Sequence, residues 1–245
     1  MLKFSKSNSK LDKLKKVIKP ALKSIGNYAK KPKIVSFSKL SGHCCPFAKL
    51  CESRVIDGKI VDGPHTKFRC FSASQEAVYT NTYKSRKVNS DSIAECKSKK
   101  QIIDLLLVYL PDFDICRIHV AGDFQRQMEF DAWIAIAKMF PGRIFYAYTK
   151  SLPFWIKRIN DIPKNFVLTA SKGGTKDKLI EKHNLRQAVV YNYAHEVPQG
   201  MEIDSDDSHA SDPRKKDVSF ALLIHGVQPA GTEEAKASMA NRGKS

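Results

Sequence analysis

Ile115-Cys-Arg-Ile-His-Val-Ala-Gly-Asp123 is a continuous apolar-rich run that stops on a glycine–acid turn, and its spacing to similar runs decides the fold. Ile144–Tyr148, Phe166–Ala170, Ala188–Tyr193 and Val218–Ile224 read the same way downstream, and Ile34–Ser38 does so upstream. Between them Phe130, Trp133, Ile134 and Ala137 mark one face of a helix over Phe130–Phe140, and shorter helices fit near Phe154–Ile159 and Asp177–His183. Strand ends fall near Asp123, Thr149, Ser171, Asn192 and His225, at separations of 26, 22, 21 and 33 residues. That period suits βα units, and strands apolar on both faces suit a parallel sheet covered by helices. Six strands of this kind predict an α/β protein, either a partial (β/α) barrel or an open doubly wound sheet.

Before this region, helical stretches are expected around Ser72–Lys84 and Asp91–Leu110, the second ended by Pro111. A turn-rich loop from Gly42 to about Cys70 follows the first strand and holds two Asp-Gly turns. Leu11, Leu14, Val17, Ile18, Leu22 and Ile25 recur at helical steps, interrupted by Pro20. Residues 1–33 hold eleven lysines and one acid, Asp12, so +10 of the net +17 lies in a basic leader ahead of a single domain over 34–245. Such a leader favours nucleic acid or is simply a solvated lysine-rich segment. No apolar run reaches the roughly 18 residues needed to cross a bilayer. The expectation is an intracellular protein with reduced cysteines and no membrane partner.

In parallel α/β folds, chemistry gathers at the carboxyl ends of the strands. Here those ends carry Gly122 and Asp123, then Thr149 and Lys150, then Ser171 and Lys172, and finally His225. Asp123, Thr149 and Ser171 also suit helix N-caps. Tyr146 and Tyr148 alternate with Ala147, so one face of that strand could put rings into a pocket. Cys96 and Cys116 read as small core residues. Cys44, Cys45, Cys51 and Cys70 lie in the loop with spacing C-C-x5-C-x18-C, which could bring thiolates to zinc or an iron–sulfur cluster. It is not the paired spacing of zinc ribbons, so free thiols, or a Cys45 or Cys70 nucleophile with His43, His65 or His209, stay open. The acidic stretch Glu202, Asp204, Asp206, Asp207 and Asp212 around His209 admits a hard divalent ion.

Phe37-Ser-Lys-Leu-Ser-Gly-His-Cys-Cys-Pro-Phe-Ala-Lys-Leu-Cys51 and Asp62-Gly-Pro-His-Thr-Lys-Phe-Arg-Cys-Phe-Ser-Ala-Ser-Gln-Glu76 resemble the opening motifs of the Gene product 88 family of bacteriophage proteins. The likeness continues through Arg117–Phe124, Phe145–Ser151, Leu168–Gly174, Ile203–Ala210 and Ala221–Gly231, and weakly through Ser7-Asn-Ser-Lys-Leu11. It implies a phage-encoded protein acting in the cytoplasm of an infected bacterium, with Cys45, Cys51 and Cys70 as the ligand-like cysteines.

A looser similarity, to radical S-adenosylmethionine enzymes, rests on the cysteine loop after the first strand and on Ala121-Gly122-Asp123 after the second. It implies a partial (β/α)6 barrel, TIM barrel-like, in which Cys45, Cys51 and Cys70 hold a 4Fe-4S cluster. A fourth position would be open or filled by Cys44, His65 or His209. S-adenosylmethionine would lie near Gly122, Asp123 and Ser171, and Asp123, Lys150, Lys172, His209 and His225 would be the reactive residues, with His119 a further proton carrier. The C-x5-C-x18-C spacing departs from the C-x3-C-x2-C of those enzymes. The alternative expectation is a zinc-stabilised or metal-free basic accessory protein that binds nucleic acid.

Overall fold

The computed structural model describes residues 1–6 and 9–242; Ser7 and Asn8, within the weakest of the family-like strings, lie outside the described residues. In chain order the elements are β1 (Phe4–Ser5), α1 (Ser9–Val17), α2 (Lys19–Lys23), β2 (Ile34–Phe37), β3 (Ser53–Ile56), β4 (Lys59–Asp62), α3 (Phe71–Val78), α4 (Thr80–Glu95), α5 (Lys99–Tyr109) and β5 (Ile115–Ile118). Then follow α6 (Gln127–Met139), β6 (Ile144–Thr149), α7 (Leu152–Ile156), β7 (Phe166–Ser171), α8 (Lys178–Lys182), β8 (Gln187–Tyr191), β9 (Phe220–Leu223) and α9 (Glu233–Ala240).

Seven strands form one sheet in the order β1-β2-β5-β6-β7-β8-β9, and β3 pairs with β4 in a separate hairpin. Only β1 runs antiparallel, and β2 and β5 to β9 are parallel. The parallel strands succeed one another in sequence order and never reverse, so the sheet lacks the switch point of a doubly wound fold. Among the described residues its two edges do not pair, and the sheet stays open.

Both faces are covered, which explains why the strands read as unbroken apolar runs. On one face Phe37, Cys116, Ile118, Phe145, Phe166 and Leu168 pack with Ile102 and Leu106 of α5 and Phe130, Trp133 and Ala137 of α6. On the other, Leu11, Leu14, Ile18, Ala21 and Leu22 of α1 and α2 lie on Ile34, Ile115, Ile144, Tyr146, Val167 and Phe220. The basic leader therefore buries an apolar face against the sheet and leaves Lys13, Lys16, Lys19 and Lys23 exposed. Pro20 falls in the first turn of α2, where its missing N–H costs nothing, so α1 and α2 are separate helices.

Several boundaries differ from the sequence reading. The helix expected over Ser72–Lys84 breaks at Tyr79, whose backbone is extended, and α4 runs on to Glu95. Cys96 is extended at its end, and the Ser98 hydroxyl caps α5 by accepting from the Gln101 N–H. The strand expected over Ile115–Ala121 stops at Ile118, because His119 takes a left-handed backbone, φ 58°. Asp57-Gly58, with both φ positive, closes the β3–β4 hairpin where only a loop was expected.

The acidic stretch folds over the sheet. Asp207 accepts from Arg117 at 2.5 Å, Tyr146 at 2.9 Å and Tyr148 at 3.3 Å. Asp204 accepts from the Ala210 N–H, Asp206 from that of Ser208, and Asp212 holds Arg214. These carboxylates are spread among separate partners rather than gathered round one hard cation. Tyr146 and Tyr148 do share one face, but their hydroxyls go to Asp207.

Candidate functional site

The segment between β2 and α3 crosses the carboxyl ends of the parallel strands and is fastened at three places. Near its start the Lys39 N–H donates to the Ala121 carbonyl and the Asp123 N–H to that of Cys44, each at 2.9 Å. In the middle the Leu50 N–H meets the Gly173 carbonyl and the Thr175 N–H meets that of Phe47, both at 2.9 Å, which ties it to the end of β7. At its far end the Arg69 N–H donates to Gln228 at 2.7 Å, and the Phe71 ring lies 4.8 Å from that of His225 beyond β9. A buried support sits beneath: Glu76 accepts from the Ser41 N–H at 3.0 Å, the Ser41 hydroxyl at 2.8 Å and Arg86 at 2.8 Å.

This path brings three half-buried thiols into one neighbourhood. Burial pushes the Cys45 thiol well up, and Asp123, Cys70 and Cys51 around it push the same way. Cys70 is pushed up to about 11 by burial and by Cys51, against the backbone N–H groups of Ser72 and Ala73 at the start of α3. Raised thiols are protonated at neutral pH, the opposite of what an activated nucleophile needs. His43, the histidine next to Cys44 and Cys45 in sequence, has its ring against the Val55 carbonyl at 3.1 Å. Cys44 faces away, buried, with its sulfur 3.4 Å from the Ser90 hydroxyl. Cys96 and Cys116 are buried elsewhere in the core. Among the described residues no group of three or more His, Cys, Asp or Glu side chains is arranged to hold a metal ion as it stands.

Asp123 stands beside these sulfurs with its carboxylate fully engaged. It accepts from the Thr149 hydroxyl at 2.6 Å, the Lys150 N–H at 2.7 Å and the Phe124 N–H at 2.8 Å. Burial nevertheless raises its pKa above the ordinary carboxylate value. The group thus joins the ends of β5 and β6. Lys150 carries its ammonium to the end of β7, donating to the Ser171 carbonyl at 2.9 Å, the Ser171 hydroxyl at 2.7 Å and the Lys172 carbonyl at 3.2 Å. The Lys172 side chain is exposed. His225 is at this same end, whereas His209 packs on Phe220 at the opposite end of the sheet, 4.6 Å between rings. So Gly122, Asp123, Lys150, Ser171 and His225 share the end that carries Cys45, Cys51 and Cys70, and His209 does not.

Gly122 has φ 78°, and a Cβ there would stand 2.9 Å from Cβ of Lys39 and 3.2 Å from the Lys39 carbonyl oxygen. Alanine at this position meets both a left-handed backbone, worth about 1–2 kcal/mol, and a close backbone neighbour. Gly122→Ala is therefore expected to lower the denaturation midpoint and loosen the start of the cysteine loop. An unchanged midpoint in urea would contradict this.

One feature of the site had no sequence signal. Lys39 is fully buried and pairs with Glu129 at 2.6 Å, while His119 Nε2 stands 3.2 Å from the same carboxylate. Lys39 lies in the polar string Ser38-Lys-Leu-Ser41, which reads as surface, and its partner is ninety residues away.

Fold and site together define an α/β protein with a mostly parallel sheet and a cysteine-bearing loop laid across the carboxyl ends of its strands. The chain belongs to the Gene product 88 family, a phage gene product family, whose model matches residues 2–243. No curated protein and no solved structure gives a significant match. Among the described residues no helix is long and apolar enough to cross a membrane.

Proposed function

We propose that this protein holds an iron–sulfur cluster, of the 4Fe-4S type, through Cys45, Cys51 and Cys70. The observation that carries the reading is the convergence of these three thiols, from separate points of one clamped loop, closely enough that Cys51 and Cys70 help to raise the Cys45 pKa and Cys51 that of Cys70. The neighbourhood is rich in sulfur, and its carboxylates, Asp123 and Glu76, are each already taken by three donor groups. Sulfurs bound to different irons of a cluster stand farther apart than sulfurs sharing one ion, so a loose trio suits a cluster better than a lone zinc. Metal binding would deprotonate the raised thiols. The N–H groups of Ser72 and Ala73 are already placed to stabilise a Cys70 thiolate.

We further propose that the protein is radical S-adenosylmethionine-like. What supports it is the order of six parallel strands along an open sheet, with the cysteine loop after the first and Gly122-Asp123 after the second, an order that a partial (β/α) barrel would share. A bound cluster would supply single electrons there. Gly122, Asp123, Lys150 and Ser171 would shape the space beside it, with Lys150 held as a fixed cation. We place this work in the cytoplasm of the infected host, where thiols stay reduced.

Anaerobic purification with iron and acid-labile sulfide analysis tests the reading. Brown protein with matched iron and sulfide is the expected result. Colourless protein with stoichiometric zinc, or with no metal after reconstitution, would contradict it and favour the zinc-stabilised or metal-free alternative. Formation of 5′-deoxyadenosine from S-adenosylmethionine and a reductant checks the radical chemistry separately.

A further inference from the structure

A second feature lies at the other end of the strands, far from the cysteines. There a cleft of ≈ 580 Å³ is lined by Ser24 and Ile25 after α2, by Pro141, Pro163 and Pro213, and by Lys138, Lys164, Arg214 and Lys216. The three prolines sit in the loops that lead into β6, β7 and β9, and the lysines flank them in sequence. Lys138, Lys164 and Lys216 are exposed, and none has an ion-pair partner among the described residues. Three nearby acids are already paired, Asp114 with Arg143 at 2.5 Å, Asp112 with Lys33 at 2.5 Å and Asp212 with Arg214 at 2.6 Å, while exposed Asp161 and Asp217 lie near Lys164 and Lys216 in sequence. Lys16, Lys19 and Lys23 are exposed on the leader helices, which pack over the same end of the sheet.

We infer that this cleft and the adjoining leader helices bind the sugar–phosphate backbone of a nucleic acid. Uncompensated lysines converging on a recess repel one another, and phosphates entering it relieve that repulsion while releasing counterions. Proline-stiffened loops fix the spacing of the cations beforehand, which lowers the ordering cost of binding. The lysines stand round a recess, so a chain of phosphates can enter where a flat bilayer surface cannot. This binding is independent of any cluster, because it lies at the opposite ends of the strands.

Fluorescence anisotropy with a short mixed-sequence DNA duplex, across about 50–200 mM salt, reads the interaction. The full-length protein is expected to bind with a steep salt dependence. Lys138→Gln/Lys164→Gln/Lys216→Gln is expected to weaken binding at least tenfold and to flatten the salt slope by about 2–3, at roughly 0.9 for each phosphate no longer neutralised. Lys49→Gln/Lys176→Gln/Lys178→Gln removes the same charge around a cavity at the cysteine end and is expected to bind like the parent. Equal loss in both variants would reduce the effect to net charge and overturn the inference. So would absence of binding at about 50 mM salt. Capture by phosphatidylserine vesicles without capture of DNA would also overturn it.

Discussion

Lys39→Met is expected to destabilise the protein by about 3–5 kcal/mol, since it strands a carboxylate in the core. Lys39 and Glu129 are both fully buried and pair at 2.6 Å, and the Gln125 N–H also donates to Glu129, at 3.0 Å. Burial alone would push the Glu129 carboxyl up, but the Lys39 ammonium and His119 beside it hold it down, to about 2. Because this carboxyl is lowered on folding, its contribution is complete above the ordinary carboxylate range and is lost as pH falls toward 2. Burial also lowers the His119 pKa, so the unfolded chain takes up that proton first and stability starts to fall below about 6.5. Both groups thus predict acid lability. Urea titrations of the parent, Lys39→Met and the double variant Lys39→Met/Glu129→Leu measure the pair. The double variant is expected to recover much of the loss, because no unpaired charge remains. A single-variant loss below about 1 kcal/mol would show the pair to be solvated.

The second large effect concerns the sulfurs. Replacing any one of Cys45, Cys51 and Cys70 by alanine is expected to cut iron and sulfide at least tenfold, because two thiolates seldom hold a cluster against water. Cys44→Ala and Cys96→Ser are expected to keep both, since Cys44 faces Ser90 and Cys96 ends α4. Far-UV circular dichroism separates cluster loss from unfolding. Retention of iron and sulfide by Cys70→Ala, or equal loss in Cys44→Ala, would contradict the ligand set.

Much of the sheet was legible because buried parallel strands leave unbroken apolar runs at a βα period, and Phe130, Trp133, Ile134 and Ala137 announce the buried face of α6. The amphipathic spacing from Leu11 to Leu22 marked helices, but not that they would pack onto the open face of the sheet. The strand's early end at His119 escaped notice because a left-handed backbone in an apolar run has no sequence mark. At the site, the rule for parallel sheets pointed to the loop after the first strand, which carries Cys45, Cys51 and Cys70 across the strand ends. Lys39–Glu129 and Glu76–Arg86 were hidden, since buried ion pairs join residues that each read as surface. Proximity in the chain misled at His209, which follows an acidic stretch yet packs on Phe220 at the other end.

Anomalous diffraction at the iron edge, from crystals grown without oxygen, would test the shared centre most directly. One compact iron peak is expected within bonding distance of the sulfurs of Cys45, Cys51 and Cys70, and none beside Cys44, Cys96 or Cys116. Those three sulfurs turned apart with no iron between them, or joined by a single zinc, would contradict it.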